Sequence, residues 1–309
     1  MHVDSPSASA YATVREGGLF QCGHSKDDRP DLPQVKGMQA VLDPLGMPLA
    51  TDVVSGERAD DPLSLPCIAR VQASVGRRGL LYVGDCKMAS RETRARLAAA
   101  GDFYLCPLPQ VQLAKGEFDA ALEAIGSGEP TLSSVVREGP KGERELIAEG
   151  SEYPVAMRQP VGEQVQHWPE RRVVVRSVRQ AHAAEVALRA RVAQALAQIE
   201  ALNQRGRGKK RVETVSALRQ AVVALIQRDG VDDLVWFRLP PPVTSRPVRA
   251  SRAQPARVDH DHEATVEVCV DEAAVEATVR RVGWRVYGTN HPGESLSLEQ
   301  AVLAYRSEY

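Results

Sequence analysis

Arg78-Gly79-Leu80-Leu81-Tyr82-Val83-Gly84-Asp85 is an uninterrupted apolar run that ends in a carboxylate. Continuous apolarity of this length predicts a strand buried on both faces, at the centre of a helix-covered sheet. On its C-terminal side, Ser90 offers a helix N-cap and Glu92 falls near the first turn. Leu97 and a run of alanines then carry the helix to Gly101. Phe103 to Leu108 (FYLCPL) reads as the next strand, stopped by Pro107 and Pro109. On its N-terminal side, Asp60-Asp61-Pro62 opens a helix through Leu65, Ile68, Ala69 and Val71 to Val75, ending at Gly76. Earlier still, Val35–Leu42 and Leu49–Val54 read as strands separated by Pro44 and Gly46. Gly17-Gly18 reads as a hairpin turn into Leu19–Gly23, and the opening residues form a first strand that carries Asp4. Strands, then helix, strand, helix, strand predict an α/β layer with a mixed sheet.

The rest of the chain changes character twice. Short β-like runs (Leu146-Ile147-Ala148, Arg172–Val175) lie among Gly, Pro and charge in residues 130–179. Leu188, Val192, Leu196, Ile199 and Leu202 recur at helical steps over 181–204, and Val215, Leu218, Val222 and Leu225 do so after RGRGKKR (Arg205–Arg211). This predicts a helical hairpin over 181–228 with a basic tip, followed by a Pro- and Arg-rich loop over 239–257. Ala264–Val270 then reads as a strand, Glu272–Val282 as a helix and GWRVYGTN as a strand. Ser297-Leu298-Glu299 opens a helix that is still running at Tyr309.

With 309 residues, 43% hydrophobic and 26% charged, the composition is that of a globular chain with a sizeable core. Thirty-nine Lys and Arg against 40 Asp and Glu argue against a uniformly basic nucleic-acid-binding surface but leave room for local basic patches. Cys22, Cys67, Cys86, Cys106 and Cys269 are scattered without CxxC, which points away from a disulfide framework or zinc site and towards a reducing cytoplasm. No apolar run approaches a membrane span, so a soluble cytoplasmic protein is expected.

Two acids stand out. Asp4 lies in the first strand and Asp85 ends the buried one. Carboxylates on adjacent rigid strands are what two-metal phosphodiester cleavage requires. An acid at a strand end also serves to cap the next helix or turn the chain, and spacing alone does not separate the two roles.

From Gly17 to Leu108 the chain resembles one branch of the bacterial DDE insertion-sequence transposases. The stretches that carry the likeness are GHSKDDRPDLPQVKGMQAVLDPLGMPLATDVVSGERADDPL and RRGLLYVGDCKMASRETRARLAAAGDFYLCPL, joined near the C-terminus by GWRVYGTNHPGESLSLEQAVLAYRSEY. The resemblance implies an RNase H-like mixed sheet flanked by helices and interrupted by a large insertion. The core would span 1–108, the insertion 109–258, and the return to the core 259–309. It implies that Asp4 and Asp85 are the first two catalytic, metal-binding carboxylates, with Mg²⁺ or Mn²⁺ as cofactor in a two-metal site. DNA (transposon ends and target) would be the partner, together with a second copy or a full-length transposase. The family's third carboxylate sits in Y-x2-R-x3-E-x6-K. Tyr305 matches the Tyr, Glu308 stands where the Arg belongs, and the Glu would fall three positions past Tyr309. The family's N-terminal DNA-binding region is also not matched. The expectation is therefore a truncated, weakly active or inactive transposase, or a non-catalytic DNA-binding or regulatory partner of an intact one.

Among basic residues, the resemblance points to His24, Lys26, Arg29, Lys36 and Lys87 as contacts to DNA phosphates, against the alternative of solvated loop positions. The basic tip Arg205–Arg211 offers another grip on a backbone. Asp259–Glu263 (DHDHE) looks like a metal cluster, but contiguous strand residues point to alternate faces. Trp168, Trp236 and Trp284 read as core residues.

Overall fold

The structure, a computed structural model, describes residues 1–26, 28–59, 61–139, 141–204, 214–240, 245–248, 257–260 and 265–306. In chain order the first elements are β1 (His2–Asp4), β2 (Ser7–Ser9), β3 (Gln34–Leu42), β4 (Met47–Ser55), α1 (Ser64–Val75), β5 (Leu81–Gly84), α2 (Arg91–Ala99) and β6 (Phe103–Pro107). There follow α3 (Glu117–Gly126), β7 (Ser133–Glu138), β8 (Arg144–Val161), β9 (Gln164–Ser177), α4 (Val178–Ala201) and α5 (Val215–Asp229). The chain continues through β10 (Val235–Arg238), β11 (Ser245–Val248), β12 (Arg257–His260), β13 (Glu267–Val270), α6 (Glu272–Arg281), β14 (Trp284–Thr289) and α7 (Leu298–Arg306). Two compact units result, Met1–Val178 with Trp284–Tyr309, and Arg179–Gly283.

The first unit is a ten-stranded mixed sheet flanked by helices. β1 and β2 lie in line along one side of β3, with β4 on its other side. β1 then pairs in parallel with β5, and β5 in parallel with β6. β14 lies antiparallel between β6 and β9, and β8 and β7 complete the sheet. As the apolar run predicts, β5 is covered on both faces. Tyr82 joins Cys67, Ile68 and Val71 of α1 in one core, while Val83 joins Ala301, Val302 and Tyr305 of α7 in the other. β6 alternates in the same way, with Tyr104 and Cys106 on the first face and Leu105 on the second. Each such Val or Leu contributes about 1.5–3 kcal/mol through burial. The local stop signals also act as read: Ser90 Oγ accepts from the Thr93 amide, and Gly76 closes α1 at φ 66°.

Three expectations are corrected. Leu19–Gly23 is not a hairpin strand; only Gln21 bridges to Gln34. The short runs at 146–148 and 172–175 are parts of β8 and β9, strands of 18 and 14 residues that belong to the main sheet. The division into units therefore falls at 179 and 283 rather than at 109 and 258, because β9 pairs with β14 over six residues and draws α3 and β7–β9 into the first unit. Beyond the reach of β7, Pro154 lies on an open outer edge of β8, and beyond β14 the two strands continue as a ribbon holding Pro160 and Pro169. Proline lacks an amide donor, so a ribbon with open outer edges accommodates it where a central strand does not. The third correction concerns Trp236, which is 55% exposed, whereas Trp168 is buried and Trp284 packs against the core.

Sequence patterning gives no sign of a buried charged network beside this ribbon. Arg94 of α2 and Arg172 of β9 both pair with Glu170, which also accepts from the Tyr104 hydroxyl, and all four side chains are 0–2% exposed. Trp168 Nε1 donates to Tyr104 Oη at 2.8 Å, and Arg172 Nε donates to Glu117 Oε1 at 2.8 Å.

In the second unit, α4, α5 and α6 bury Leu188, Val192, Ile199, Leu218, Val222, Ile226, Val275 and Val279 in a core of their own. β10 pairs with β13 and β11 with β12. The basic tip Arg205–Arg211 and the side chains of Asp259–Glu263 lie outside the described residues.

Two outcomes are expected from this layout. Glu170→Gln leaves two buried guanidiniums short of charge and lowers unfolding free energy by about 3–5 kcal/mol in urea titrations; a change below 1 kcal/mol would show the network to be dispensable. In native thiol titration Cys22, Cys86 and Cys269, all exposed, react first. Burial pushes the Cys67 thiol to about 11 and Cys106 to about 12, so both wait for unfolding.

Candidate functional site

The parallel pairing of β1 with β5 sets His2 against Val83 and Val3 against Gly84. One residue further along both strands, Asp4 and Asp85 leave the sheet side by side at the same edge. Gly84 permits this approach: a Cβ there would stand 3.0 Å from Met88 Sδ and 3.1 Å from the Val3 carbonyl oxygen. Each carboxylate is steadied by a local amide. Asp4 Oδ1 accepts from Ser5 N at 2.7 Å. Asp85 Oδ1 accepts from Lys87 N at 2.9 Å, which caps the short 3-10 helix Cys86–Ala89. Asp85 thus does serve as a helix cap, and it stands beside Asp4 as well.

The electrostatics tie the two strand ends together. Burial holds the Asp85 carboxyl above its ordinary value, and the charge of Asp4 acts in the same direction, opposed by the Lys87 amide and the Lys26 ammonium. Burial pushes the Lys87 ammonium down to about 8, and the charges of Lys26 and Lys36 add to this. Lys26 reaches back from the loop between β2 and β3, where its Nζ donates to the backbone oxygen of Ser5 and, at 3.0 Å, to Ser5 Oγ. Lys36 is buried on β3, and its Nζ donates to Arg58 O at 2.8 Å.

Of the residues singled out from sequence, Asp4, Asp85, Lys26, Lys36 and Lys87 are therefore brought together. The backbone of His24 is tied to the start of β3, and Arg29 is held within its own loop. The His24 carbonyl accepts from Gln34 Nε2 at 2.7 Å, and Arg29 forms a bidentate pair with Asp31 at 2.8 and 2.7 Å. Tyr305 is a core residue, its ring edge-on to Tyr287 with centroids 4.9 Å apart. Ser5 was missed; apart from adjacency to Asp4, nothing in the sequence marks the buried hydroxyl that anchors Lys26.

α7 ends at this same edge. β6 and β9 both run antiparallel to β14, so the C-terminal ends of β1, β5, β6 and β9 lie together. Arg306, in the last turn of α7, donates to Ser177 Oγ at the end of β9 at 2.8 Å. Glu299 sits about 10 Å back along the helix, where Oε1 accepts from the Val136 amide of β7. It is a support for β7 rather than a third member of the carboxylate pair. Among the described residues there is no group of three or more His, Cys, Asp or Glu side chains placed to hold a metal ion.

No protein-family model matches the chain, and no curated protein sequence matches it. Among the described residues no helix is long and apolar enough to cross a membrane.

The raised Asp85 carboxyl has a consequence for stability. Folded, it keeps its proton to higher pH than the ordinary value of 3.8. The folded state then binds more protons than the unfolded one above that pH, so stability falls as pH rises through the raised range. Asp85→Asn removes this dependence and keeps a side chain able to cap. In EDTA near neutral pH the variant is expected to match or exceed the parent in urea midpoint, with the difference closing towards acid pH. A variant clearly less stable at neutral pH would show that the carboxylate is held by favourable contacts instead.

Proposed function

We propose that the chain is part of a DDE transposase of the insertion-sequence class, with an RNase H-like core in which Asp4 and Asp85 are two of the metal-binding carboxylates. The single observation that carries this reading is their emergence side by side from the parallel neighbours β1 and β5. Three others support it. The mixed sheet flanked by helices is the architecture that the resemblance implies. A separate unit, Arg179–Gly283, is inserted between β9 and β14 of that sheet. The likeness in sequence falls on the strands that deliver both acids.

The pair is chemically suited to a hard divalent cation. Two carboxylates on adjacent strands concentrate negative charge, and Asp4 already makes ionisation of Asp85 harder. Asp4 and Asp85 would hold Mg²⁺ or Mn²⁺, which in phosphodiester chemistry activates the attacking oxygen and stabilises the leaving one. The chain's own residues do the positioning. β1 and β5 fix the level of the two acids, the Lys87 amide fixes the rotamer of Asp85, and Ser5 anchors Lys26 beside them. In the intact family the outcome is strand cleavage at the transposon end and transfer of the freed 3′-hydroxyl to target DNA. The last turn of α7 meets the C-terminal end of β9, at the same edge of the sheet. A second reading, a DNA-binding or regulatory partner of a full-length transposase, is favoured by the three lysines gathered at the acids, which attract a phosphate backbone whether or not cleavage follows.

Mn²⁺ titration followed by electron paramagnetic resonance tests the site, with DNA nicking as the second readout. Asp4→Asn and Asp85→Asn are each expected to weaken Mn²⁺ binding by about tenfold or more and to lower Mn²⁺-dependent DNA nicking below that of the parent chain. Mn²⁺ binding unchanged in both variants would overturn the assignment of the acids.

A further inference from the structure

Between α3 and β8 lies a cavity of about 340 Å³. α3 leans on the core through Phe118, Leu122 and Ile125, but none of its residues is fully buried. Ala120, Ala121 and Ala124 offer only methyl groups on this side, and the gap they leave is bordered by Pro130 and Tyr153. An apolar cavity of about 150 Å³ is enough to bind benzene, so this one has room for a two-ring molecule.

The polar groups on the wall decide what the cavity can hold. Glu117 is engaged through both oxygens. Its Oε1 accepts from Arg172 Nε at 2.8 Å and from Tyr153 Oη at 3.1 Å, and its Oε2 accepts from the Ala114 amide at 2.7 Å. Glu152 is paired with Arg171. Each acid is matched by an arginine, so the cavity offers a ligand no unpaired charge. Ser151 differs. It stands two residues from Tyr153 and so on the same face of β8, where its register partner Val174 belongs to the apolar core. Ser151 is 7% exposed, and among the described residues its hydroxyl has no hydrogen-bond partner. A hydroxyl withdrawn from water without a partner is costly. A ligand in the cavity that Ser151 lines would supply that partner.

We propose that the cavity between α3 and β8 is a binding site for an uncharged aromatic molecule bearing one hydroxyl or carbonyl group. The rings lie between the alanines of α3 and Tyr153, and the polar group meets Ser151 Oγ. A serine hydroxyl both donates and accepts, so a phenol and a ketone are both matched. A carboxylate is not, because Glu117 and Glu152 border the site. Bound there, the molecule supplies α3 with contacts that its alanines do not make. The site shares no residue with the Asp4–Asp85 edge and does not depend on the transposase reading.

Titration of the full chain with 2-naphthol, naphthalene and 2-naphthoate, followed by probe fluorescence, tests the site. 2-Naphthol is expected to bind about fivefold more tightly than naphthalene, the share of one hydrogen bond, and 2-naphthoate is expected not to saturate. Ser151→Ala is expected to bring 2-naphthol down to the affinity of naphthalene while leaving naphthalene unchanged. Ala120→Leu and Ala124→Leu, which fill the gap from an exposed helix face, are each expected to abolish binding of both probes with the urea midpoint kept near that of the parent. Equal binding of all three probes, saturation by none of them, or parental binding in both leucine variants would overturn the proposal. Binding of 2-naphthol that weakens as the chain concentration rises would assign this surface to a second copy and overturn it as well.

Discussion

β1 is three residues long, and its hydrogen bonds to both neighbours hold the candidate site together. On one side His2, Val3 and Asp4 face Val41, Ala40 and Gln39 of the antiparallel β3. On the other, His2 and Val3 face Val83 and Gly84 of the parallel β5, and the Val83 amide donates to Met1 O at 2.7 Å. Parallel neighbours cannot be joined by a tight turn, so the chain must travel through β3, β4 and α1 before it returns as β5. That detour separates Asp4 from Asp85 by eighty residues in sequence and sets them side by side in space. The register also fixes which side chains emerge. A slip of one residue would send Asp4 towards the apolar core that receives Val3 and turn Val3 outward. Burial of Val3 at 3% exposure therefore protects the placement of the acid next to it.

Two groups of charges in the first unit illustrate opposite uses of the same residue types. Around Glu170, two arginines, a tyrosine and Glu117 form a closed network in which donors meet acceptors away from water. Such a network specifies how α2 and α3 meet β6 and β9, and its charges nearly balance. At the C-terminal edge of β1 and β5 the arrangement is unbalanced: acids lie beside acids and amines beside amines, with a carboxyl pushed up and an ammonium pushed down by their surroundings. Perturbed groups that coincide with a strand-end edge are the usual mark of a place where a protein meets something charged. The buried network, whose Tyr104 and Glu117 are also shifted, lies away from that edge, and its charges find their partners internally.

The nuclease-type reading gains from the way α7 approaches. Its apolar face (Leu298, Ala301, Val302, Tyr305) packs against the core that also receives Val83 and Leu105, so the strand bearing Asp85 and the final helix share one layer of side chains. Tyr305, the one residue that matches the family's last motif, works in that layer as a packing residue against Tyr287.

Local chemistry made much of the first unit legible. The apolar run Leu80–Gly84, the Ser90 cap, the Gly76 stop, β3, β4, β6 and the helical steps of α4 and α5 each depend on neighbours within a few residues, so the sequence by itself determined them. It also placed both acids at strand ends. Gly17-Gly18 misled because a glycine pair permits a turn without supplying a partner strand. The segment 130–178 misled because prolines and charges obscure alternation in a ribbon whose outer edges are open. Trp236 misled because a large apolar ring on a two-stranded sheet has only one covered face. Only the tertiary structure decided that β7–β9 join the main sheet, that Glu170 lies buried between Arg94 and Arg172, and that Lys26 and Lys87 converge on the acids. Each of these depends on contacts between residues tens of positions apart, whose free energy comes from burial and pairing that no local pattern encodes.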